Sequence, residues 1–228
     1  MKQITQSVFQ IPLGAVNAFL VDNGGLTLVD TGMPGSTDKV LQAIGRSGRD
    51  PRTLQRIILT HAHTDHSGNA AELQQRLGIP VWAHGVDAEL IEQGIAGRKP
   101  MSLSPGFVNW MVYQLFVKRA SPAIAPVLIE RRLVDGDRLP GGLRVIHTPG
   151  HSAGHISLLL EDERVLIAGD ICANAGGLNW SVLYEDRELG RQSILRAAAL
   201  DFDKAVFGHG GPLLQGANTK MADRFTSR

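Results

Sequence analysis

The chain has 228 residues, which suits one domain or one domain with an elaboration, and its 43% hydrophobic and 20% charged residues predict a packed core rather than wholesale disorder. A formal net charge of +1 gives no reason to expect a nucleic-acid partner or an anionic membrane, and the single cysteine, Cys172, excludes an intramolecular disulfide framework. The N-terminus shows no signal-peptide pattern and no apolar run is long enough to span a bilayer, so a cytoplasmic protein without a membrane partner is expected.

The first ninety residues alternate between strand-like and helical patterns. Strands are predicted for VFQIPL, NAFLVDN and LTLVDTG, with a turn at Asn23-Gly24-Gly25 between the last two. Thr37 to Arg46 fits an amphipathic helix, Asn69 to Leu77 has helical spacing before a Gly-Ile-Pro stop, and VDAELIEQG begins another helix. Between these helices, RIILT and VWAH are short strand-like runs.

The region from Gly94 to Pro126 differs from its surroundings. It contains four prolines, at positions 100, 105, 122 and 126, around the apolar segment FVNWMVYQLFV. We predict that this segment is a buried or half-buried helix, too short to span a bilayer, and that 94–126 is a helical insertion near the active site. Its aromatic and methionine side chains are typical of a core or of a homodimer contact. They also suit an apolar pocket, which makes Trp110 a candidate substrate-binding residue.

The second half of the chain continues the alternation. LRVIHTPG, ISLLLE and RVLIAGD are strand-like, Glu185 to Leu200 is helical, AVFGHG is a strand followed by a loop, and a short helix is expected at the C-terminus. Strands interleaved with helices predict an α/β architecture, and the successive strand pairs indicate some antiparallel pairing.

The stretch LTHAHTDHSGN holds three histidines and one aspartate within six residues. His61 and His63 follow a strand, and in an extended segment residues two apart point the same way. Asp65 and His66 come where the chain turns into a helix, where a carboxylate is favoured by the helix dipole. A helix cap would account for Asp65, and a solvated loop would account for a single histidine. Three histidines and an aspartate within six residues are better explained by a metal site.

Further ligand-type residues follow other strands. The apolar runs RIILT, LRVIHTPG, RVLIAG and KAVFG are followed at once by His61, His151, Asp170 and His209, each in a turn containing Thr or Gly. If the strand ends share one edge, the four turns converge, as active sites in α/β sheets commonly do. Asp30, at the end of LTLVDTG, is a candidate for supporting such a site from behind its ligands.

In order and type, the motifs HAHTDH, TPGHSAGH, Gly169-Asp170 and Gly208-His209 resemble those of the metallo-β-lactamase superfamily, which shows HxHxDH, a later His, an Asp and a final His. The resemblance includes the early strand ending LVDTG and covers nearly the whole chain, 1–228, apart from 94–126. It implies an α/β (α+β) fold in the form of a single-domain, four-layer αββα sandwich with two metals on one edge.

The resemblance also implies the ligands. The first metal would be held by His61, His63 and His151, the second by Asp65, His66 and His209, with Asp170 bridging both. Because this set contains no thiolate, zinc is expected, two ions per chain, while iron and manganese stay open. A bridging water would then serve as hydroxide at neutral pH, and Asp65 would be catalytic by orienting it and moving a proton to the leaving group.

The substrate is less well defined by the motifs. Asp170 stands where β-lactamases of the thiol-ligand type have Cys, the run after it matches glyoxalase-II-like thioesterases only in part, and Ala173 stands where lactonases often have Tyr. Tyr184 becomes a candidate substrate-binding residue if its loop folds back. We expect a small-molecule substrate with an ester-like bond, a lactone, thioester or amide. A mononuclear iron enzyme like persulfide dioxygenases, a β-lactamase-like activity and a non-catalytic metal protein stay open.

Overall fold

The computed structural model describes residues 1–119, 121 and 123–226. Over these residues the strands are β1 (Lys2–Gln3), β2 (Val8–Pro12), β3 (Asn17–Asp22), β4 (Leu26–Val29), β5 (Leu54–Ile58), β6 (Val81–His84), β7 (Ser102–Leu103), β8 (Ile129–Leu133), β9 (Leu143–His147), β10 (Ile156–Leu160), β11 (Val165–Ile167), β12 (Leu183–Tyr184) and β13 (Lys204–Val206). The helices are α1 (Thr37–Arg46), α2 (Thr64–Ser67), α3 (Ala70–Leu77), α4 (Gly85–Glu92), α5 (Phe107–Val112), α6 (Arg187–Ala198) and α7 (Ala217–Thr226). Among the described residues, no helix has both the length and the apolar character needed to cross a bilayer.

The long strands form two sheets. The first sheet has the order β1-β2-β3-β4-β5-β6-β8, and the second has the order β13-β11-β10-β9, while β7 and β12 pair separately. Strands β1 to β4 pair antiparallel, as do β9, β10 and β11. Strands β4, β5, β6 and β8 run parallel, as do β11 and β13. The predicted mixture of parallel and antiparallel pairing is therefore confirmed.

Three apolar clusters separate four layers. One lies between the first sheet and helices α1, α3 and α4, a second lies between the two sheets, and a third lies between the second sheet and helices α6 and α7. Strand β3 shows how one sheet contributes to two clusters, because successive side chains of a strand point to opposite faces. Leu20 joins the first cluster, whereas Phe19 and Val21 on the other face join the second. The arrangement is the expected αββα sandwich.

Helix α1 illustrates how the sequence pattern becomes a layer. Its buried side chains Thr37, Val40 and Ile44 recur at the spacing of one helix face, and its acidic Asp38 and basic Arg46 lie at the ends that the helix dipole favours. The predicted bounds of this helix are confirmed. A glycine in the left-handed conformation, Gly78, ends α3 as the sequence indicated.

The segment 94–126 lies outside the layers, and two of its residues, Ala120 and Pro122, are outside the described residues. Helix α5 continues as a π-helical turn, Tyr113–Val117, and β7 pairs with β12. The prediction that its apolar side chains are buried or half-buried is wrong for Phe107, Val108, Leu115 and Phe116, which are 59–73% exposed, whereas Trp110 and Met111 are 49% and 39% exposed. An apolar run in a sequence does not show whether the fold offers a surface for it to pack against. Here the faces of the two large sheets are already packed against other elements, so the helix of the insertion stays exposed.

Candidate metal centre

The turn after β5 brings together the first two histidines of HAHTDH. Extended backbone at His63 places its Nδ1 atom 3.0 Å from Nε2 of His61, and His61 is completely buried. The chain then enters α2, a single helical turn that carries Asp65 and His66. Four of the predicted ligands are thus displayed by one short segment at the end of one strand of the first sheet.

The other three predicted ligands come from the second sheet. His151 follows β9, Asp170 follows β11 and His209 follows β13. The Nε2 atom of His151 lies 3.2 Å from Nε2 of His61 and 3.0 Å from Nδ1 of His63. We call these three side chains, His61, His63 and His151, the first group; their ligand atoms lie close enough together to share one ion.

Asp65, His66 and His209 form the second group. Oδ2 of Asp65 is 3.7 Å from Nε2 of His66 and 3.2 Å from Nε2 of His209. Asp170 lies between the groups, with its carboxylate oxygens 3.5 Å from His66, 3.1 Å from His209 and, towards the first group, 3.7 Å from His151. All seven predicted ligands therefore meet at one place, with Asp170 in contact with both groups.

Hydrogen bonds behind the first group fix which nitrogen two of its rings, His151 and His61, present. Nδ1 of His151 donates to the carbonyl oxygen of Leu183 at 2.8 Å, which leaves Nε2 as a lone pair facing the group. The hydroxyl of Thr60 donates to Asp30 at 2.8 Å, so its oxygen accepts from Nδ1 of His61 at 3.0 Å. Such bonds orient metal-binding imidazoles and set their tautomer.

The second group is supported in the same way. Nδ1 of His66 donates to the buried carboxylate of Asp30 at 2.9 Å, and Nδ1 of His209 donates to the carbonyl oxygen of Ala15 at 2.8 Å. The support predicted for Asp30 is therefore confirmed. Within the described residues, Nε2 of His66 and Oδ1 of Asp170 are buried and make no hydrogen bond. Two buried polar atoms without a partner, facing one another at 3.5 Å, suit a cation between them once His66 has given up its Nε2 proton.

The charges of the site divide between the two groups. Burial is the main cause that lowers the pKa of His61 and of His151 well below the ordinary value, so the first group presents neutral imidazoles. In the second group, burial alone would lower the pKa of His209, but the carboxylates of Asp170 and Asp65 raise it well above. Without an ion the carboxylates therefore hold a proton on this ring, and a divalent cation would displace it, because neutral imidazole and ionised carboxylate are the forms that bind divalent metals.

The site is open to solvent at three side chains. Asp65 and His209 are 29% and 28% exposed and His63 is partly exposed, whereas His61 and His66 are fully buried and His151 is nearly so. Each group therefore has at least one ligand that solvent can reach.

Glycine at position 208 allows the close approach of the two sheets at the site. A Cβ atom there would overlap Oδ1 of Asp170 and would lie 2.6 Å from Cε1 of His66. The Gly208-His209 pair is thus needed for two reasons, since the glycine makes room for Asp170 and the histidine contacts it.

Two residues outside the predicted ligand set support the site. The buried carboxylate of Asp87 accepts hydrogen bonds from the backbone of Ala62 and Gly154 and from the hydroxyl of Ser152, and so joins the turns on either side of the first group. Nε2 of His155, whose pKa burial lowers to about 3, accepts from the backbone N–H of Asp170 at 2.9 Å. His155 lies four residues after His151 in the motif TPGHSAGH, so a role for it in that loop can be inferred from the sequence, whereas no sequence signal indicates Asp87.

The sequence model of the metallo-beta-lactamase superfamily matches residues 11–209. The chain belongs to the metallo-beta-lactamase superfamily. It is 30% identical over 223 residues to the probable metallo-hydrolase YflN of Bacillus subtilis, an alignment that covers 88% of this chain and 82% of that protein. It is 32% identical over 197 residues to metallo-beta-lactamase domain-containing protein 1 of Xenopus laevis, covering 83% and 68%. Membership makes the chain a metal-dependent hydrolase.

Solved structures of the superfamily share the fold. BJP-1, a subclass B3 metallo-beta-lactamase of Bradyrhizobium japonicum, has a TM-score of 0.72 at 24% identity, over 99% of this chain and 89% of that one. A metallo-beta-lactamase family protein of Thermus thermophilus also has a TM-score of 0.72 at 24% identity, over 98% and 80%. At this identity the likeness shows the αββα architecture and not the activity.

In this metallo-beta-lactamase fold the two candidate substrate-binding residues lie in different surroundings. Tyr184 is fully buried: its hydroxyl donates to the carbonyl oxygen of Ile171 at 2.6 Å, and its ring meets the ring of His151 edge-on at 5.6 Å between centroids. Trp110 is 49% exposed on α5 and stacks on Phe107. The structure therefore places the Tyr184 side chain in the interior, next to the ring of His151. It places Trp110 on the surface.

Proposed function

We propose that the chain is a dinuclear metal-dependent hydrolase that cleaves an ester-like bond of a small molecule. One observation carries the proposal: the two groups of ligands are complete, and the carboxylate of Asp170 lies within 3.7 Å of His151 in one group and 3.1 Å of His209 in the other. A carboxylate in that position suits a bridge between two ions. A set of imidazoles and carboxylates without a thiolate favours zinc, with iron or manganese as the alternatives.

His61, His63 and His151 would hold one divalent ion and Asp65, His66 and His209 a second, and such ions would lower the pKa of a bound water and act as Lewis acids towards the substrate carbonyl. The remaining chemistry belongs to Asp65. Burial would raise the pKa of Asp65, but the positive charges of His66 and His209 lower it well below the ordinary value. Its carboxylate is therefore ionised at neutral pH, and we assign it the roles of orienting the attacking water and of passing a proton to the leaving group. Its side chain is 29% exposed, so a substrate can approach it.

The substrate class that we favour is a lactone, a thioester or an amide. A relative from Shewanella baltica is named hydroxyacylglutathione hydrolase, and this chain is 32% identical to it over 124 residues, which cover 54% of this chain and 36% of that protein. That name supports a thioester, although the alignment is limited to part of each protein. We further propose that Tyr184 acts indirectly by packing against the ring of His151, and that Trp110, which is 49% exposed and stacks on Phe107, does not contact the substrate as the sequence had suggested.

The test combines metal analysis with a substrate panel. Purified protein should contain about two zinc ions per chain and should hydrolyse at least one of a lactone, a thioester and an amide. A β-lactam and a phosphodiester complete the panel as comparisons. About one iron per chain, with oxygen uptake on a persulfide, would replace the proposal with a mononuclear iron oxygenase. A full metal load without turnover of any substrate would favour a non-catalytic metal protein.

A further inference from the structure

The insertion carries an apolar surface that nothing in the described chain covers. Six side chains of α5 and the π-helical turn, which we call the outer face, are between 39% and 73% exposed: Phe107, Val108, Trp110, Met111, Leu115 and Phe116. The segment from 107 to 117 contains no charged residue. Its buried side chain is the polar Asn109, which donates to the carbonyl oxygen of Pro105, so the helix shows its apolar side to solvent. Contiguous exposed apolar surface of this kind marks an interaction site.

The charged residues of the insertion itself are all of one sign. Residues 94–129 contain four basic residues and no acidic residue. Arg98 pairs with Asp87 at 3.1 Å, whereas Lys99, Lys118 and Arg119 are exposed and have no ion-pair partner among the residues described. The apolar side chains are therefore bordered by positive charges that are free to meet an anionic surface.

The outer face is held beside the metal centre. The hydroxyl of Thr64, within the HAHTDH motif, donates to the carbonyl oxygen of Ser121 at 3.0 Å, and the backbone of Gly97 lies against the ring of His63. On the other flank β7 pairs with β12, and the hydroxyl of Ser104 donates to the carbonyl oxygen of Ser181 at 2.6 Å. These contacts tie the insertion to the body of the protein on both sides of the helix.

We propose that the outer face docks this protein on an anionic lipid surface, with the apolar side chains in the interfacial region and Lys99, Lys118 and Arg119 against the headgroups. Helices that lie in a membrane interface combine a bare apolar face with basic flanks in this way. A second copy of the chain fits less well, because a two-fold contact places the same three basic residues of each copy against each other without an acidic residue in the segment. The proposal is independent of the reaction that the metal centre catalyses.

Vesicle binding tests the proposal with the full chain. Vesicles of phosphatidylcholine with about a third phosphatidylserine should bind the protein about 100-fold more tightly than pure phosphatidylcholine at low ionic strength, because three basic residues act together. Half-molar salt should remove most of this difference. The emission of Trp110 should shift to shorter wavelength on binding, and the shift should be smaller in Trp110→Phe, because the other two tryptophans are already partly buried.

Paired variants separate the apolar and the charged contributions. Phe107→Ser with Phe116→Ser should weaken vesicle binding at least tenfold, while Val134→Ser, another exposed apolar side chain outside the segment, should leave it unchanged. Lys118→Gln with Arg119→Gln should weaken binding about 30-fold, and Lys39→Gln with Arg46→Gln on α1 should not. Thermal unfolding monitored by circular dichroism checks that each variant is folded.

Several results would overturn the proposal. These are equal affinity for neutral and anionic vesicles, no binding at low salt, or binding that survives both pairs of substitutions in the segment. A dimer in light scattering that the Phe107→Ser, Phe116→Ser variant converts to monomer would assign the outer face to a second copy. A rise in KM for long-chain substrates in that variant, without vesicle binding by the wild type, would assign it to the substrate.

Discussion

The contact that depends most on a single atom is the approach of Gly208 to Asp170. Asp170 reaches both ligand groups because position 208 has no Cβ atom, and its backbone N–H is held by His155 from the opposite side. Two residues far from Asp170 in sequence thus fix its position, Gly208 at the carboxylate and His155 at the backbone. The sequence predicted Asp170 and His209 from the strand ends, but it treated Gly208 only as part of a motif.

We expect Gly208→Ala to lower zinc affinity about 10- to 100-fold, because the added methyl group displaces Asp170 and His66. Zinc titration with a competing chelator measures the effect. Gly211→Ala is the matched control, since Gly211 has open space at the Cβ position and needs no left-handed backbone. Equal zinc affinity in the two variants would show that the site relaxes around the methyl group.

At the scale of elements, helix α4 connects the two turns of the first group. Asp87 in its first turn accepts from Ala62, between the two histidines of the first motif, and from Ser152 and Gly154, beyond His151. Arg98, near the start of the insertion, forms an ion pair with the same carboxylate. One buried side chain therefore sets the distance between two ligand-bearing loops.

Replacing Asp87 with Asn should destabilise the fold by about 3 kcal/mol or more, because an amide NH₂ then faces buried donors. Zinc affinity should fall as well, since the His61 and His151 turns lose their shared acceptor. Urea denaturation and zinc titration measure the two effects. Asp38→Asn, at an exposed ion pair with Arg76, should change stability by less than about 1 kcal/mol and leave zinc affinity unaltered.

The elements also show where prediction from sequence succeeds and where it ends. The ligand positions were predictable because strand ends are visible as apolar runs that stop at Thr or Gly, and α1 because its buried positions repeat along one face. Asp87 was not, because its partners lie 25, 65 and 67 residues away and an acidic residue in a first helical turn has an ordinary explanation as a dipole partner. The exposure of α5 was not predictable either, since an apolar run has the same sequence pattern whether or not another layer of the fold packs on it.

At the scale of the whole molecule, the metal centre joins the two sheets. His61, His63, Asp65 and His66 come from the first sheet, whereas His151, Asp170 and His209 come from the second, so an ion at the site links both halves of the sandwich. The net charge of +1 describes the chain as a whole and does not reveal how the charges are distributed. In the segment 94–129 every charged residue is basic. The expectation that no membrane partner exists rests on that average, and our docking proposal departs from it for this reason.

Removing the metal should lower the thermal stability of the entire fold. An ion present at about 100 times its Kd stabilises the folded state by about 2.7 kcal/mol, which for a chain of this size corresponds to a rise in Tm of ~5–10 °C. Differential scanning calorimetry before and after treatment with a chelator measures the shift, and added zinc should restore it. A Tm that does not respond to chelator would mean that the two sheets hold the seven side chains in place without help.

A second link between the sheets should make stability depend on pH. His84, at the end of β6, stacks on His147, at the end of β9, with 4.1 Å between ring centroids and 7° between planes. Nδ1 of His84 also accepts a hydrogen bond from the backbone of Val86 at the start of α4. Burial, and then the neighbouring His147 ring, lower the pKa of His84 below its ordinary value of 6.5, against the opposing effect of Asp87 and Asp135.

Because the folded protein binds this proton more weakly than the unfolded chain, the contribution of His84 is fully present above about pH 6.5 and is lost as the pH falls below it. Urea denaturation at pH 7.5 and pH 5.5 should therefore show a larger loss of stability in the wild type than in His84→Asn, which keeps an acceptor at the helix start without a titrating ring. The comparison between the two proteins removes the contribution of the carboxylates and of the other histidines, which they share. If both lose the same stability between pH 7.5 and 5.5, then the stacked pair accepts the proton as readily as the unfolded chain does, and the acid sensitivity of this fold lies elsewhere.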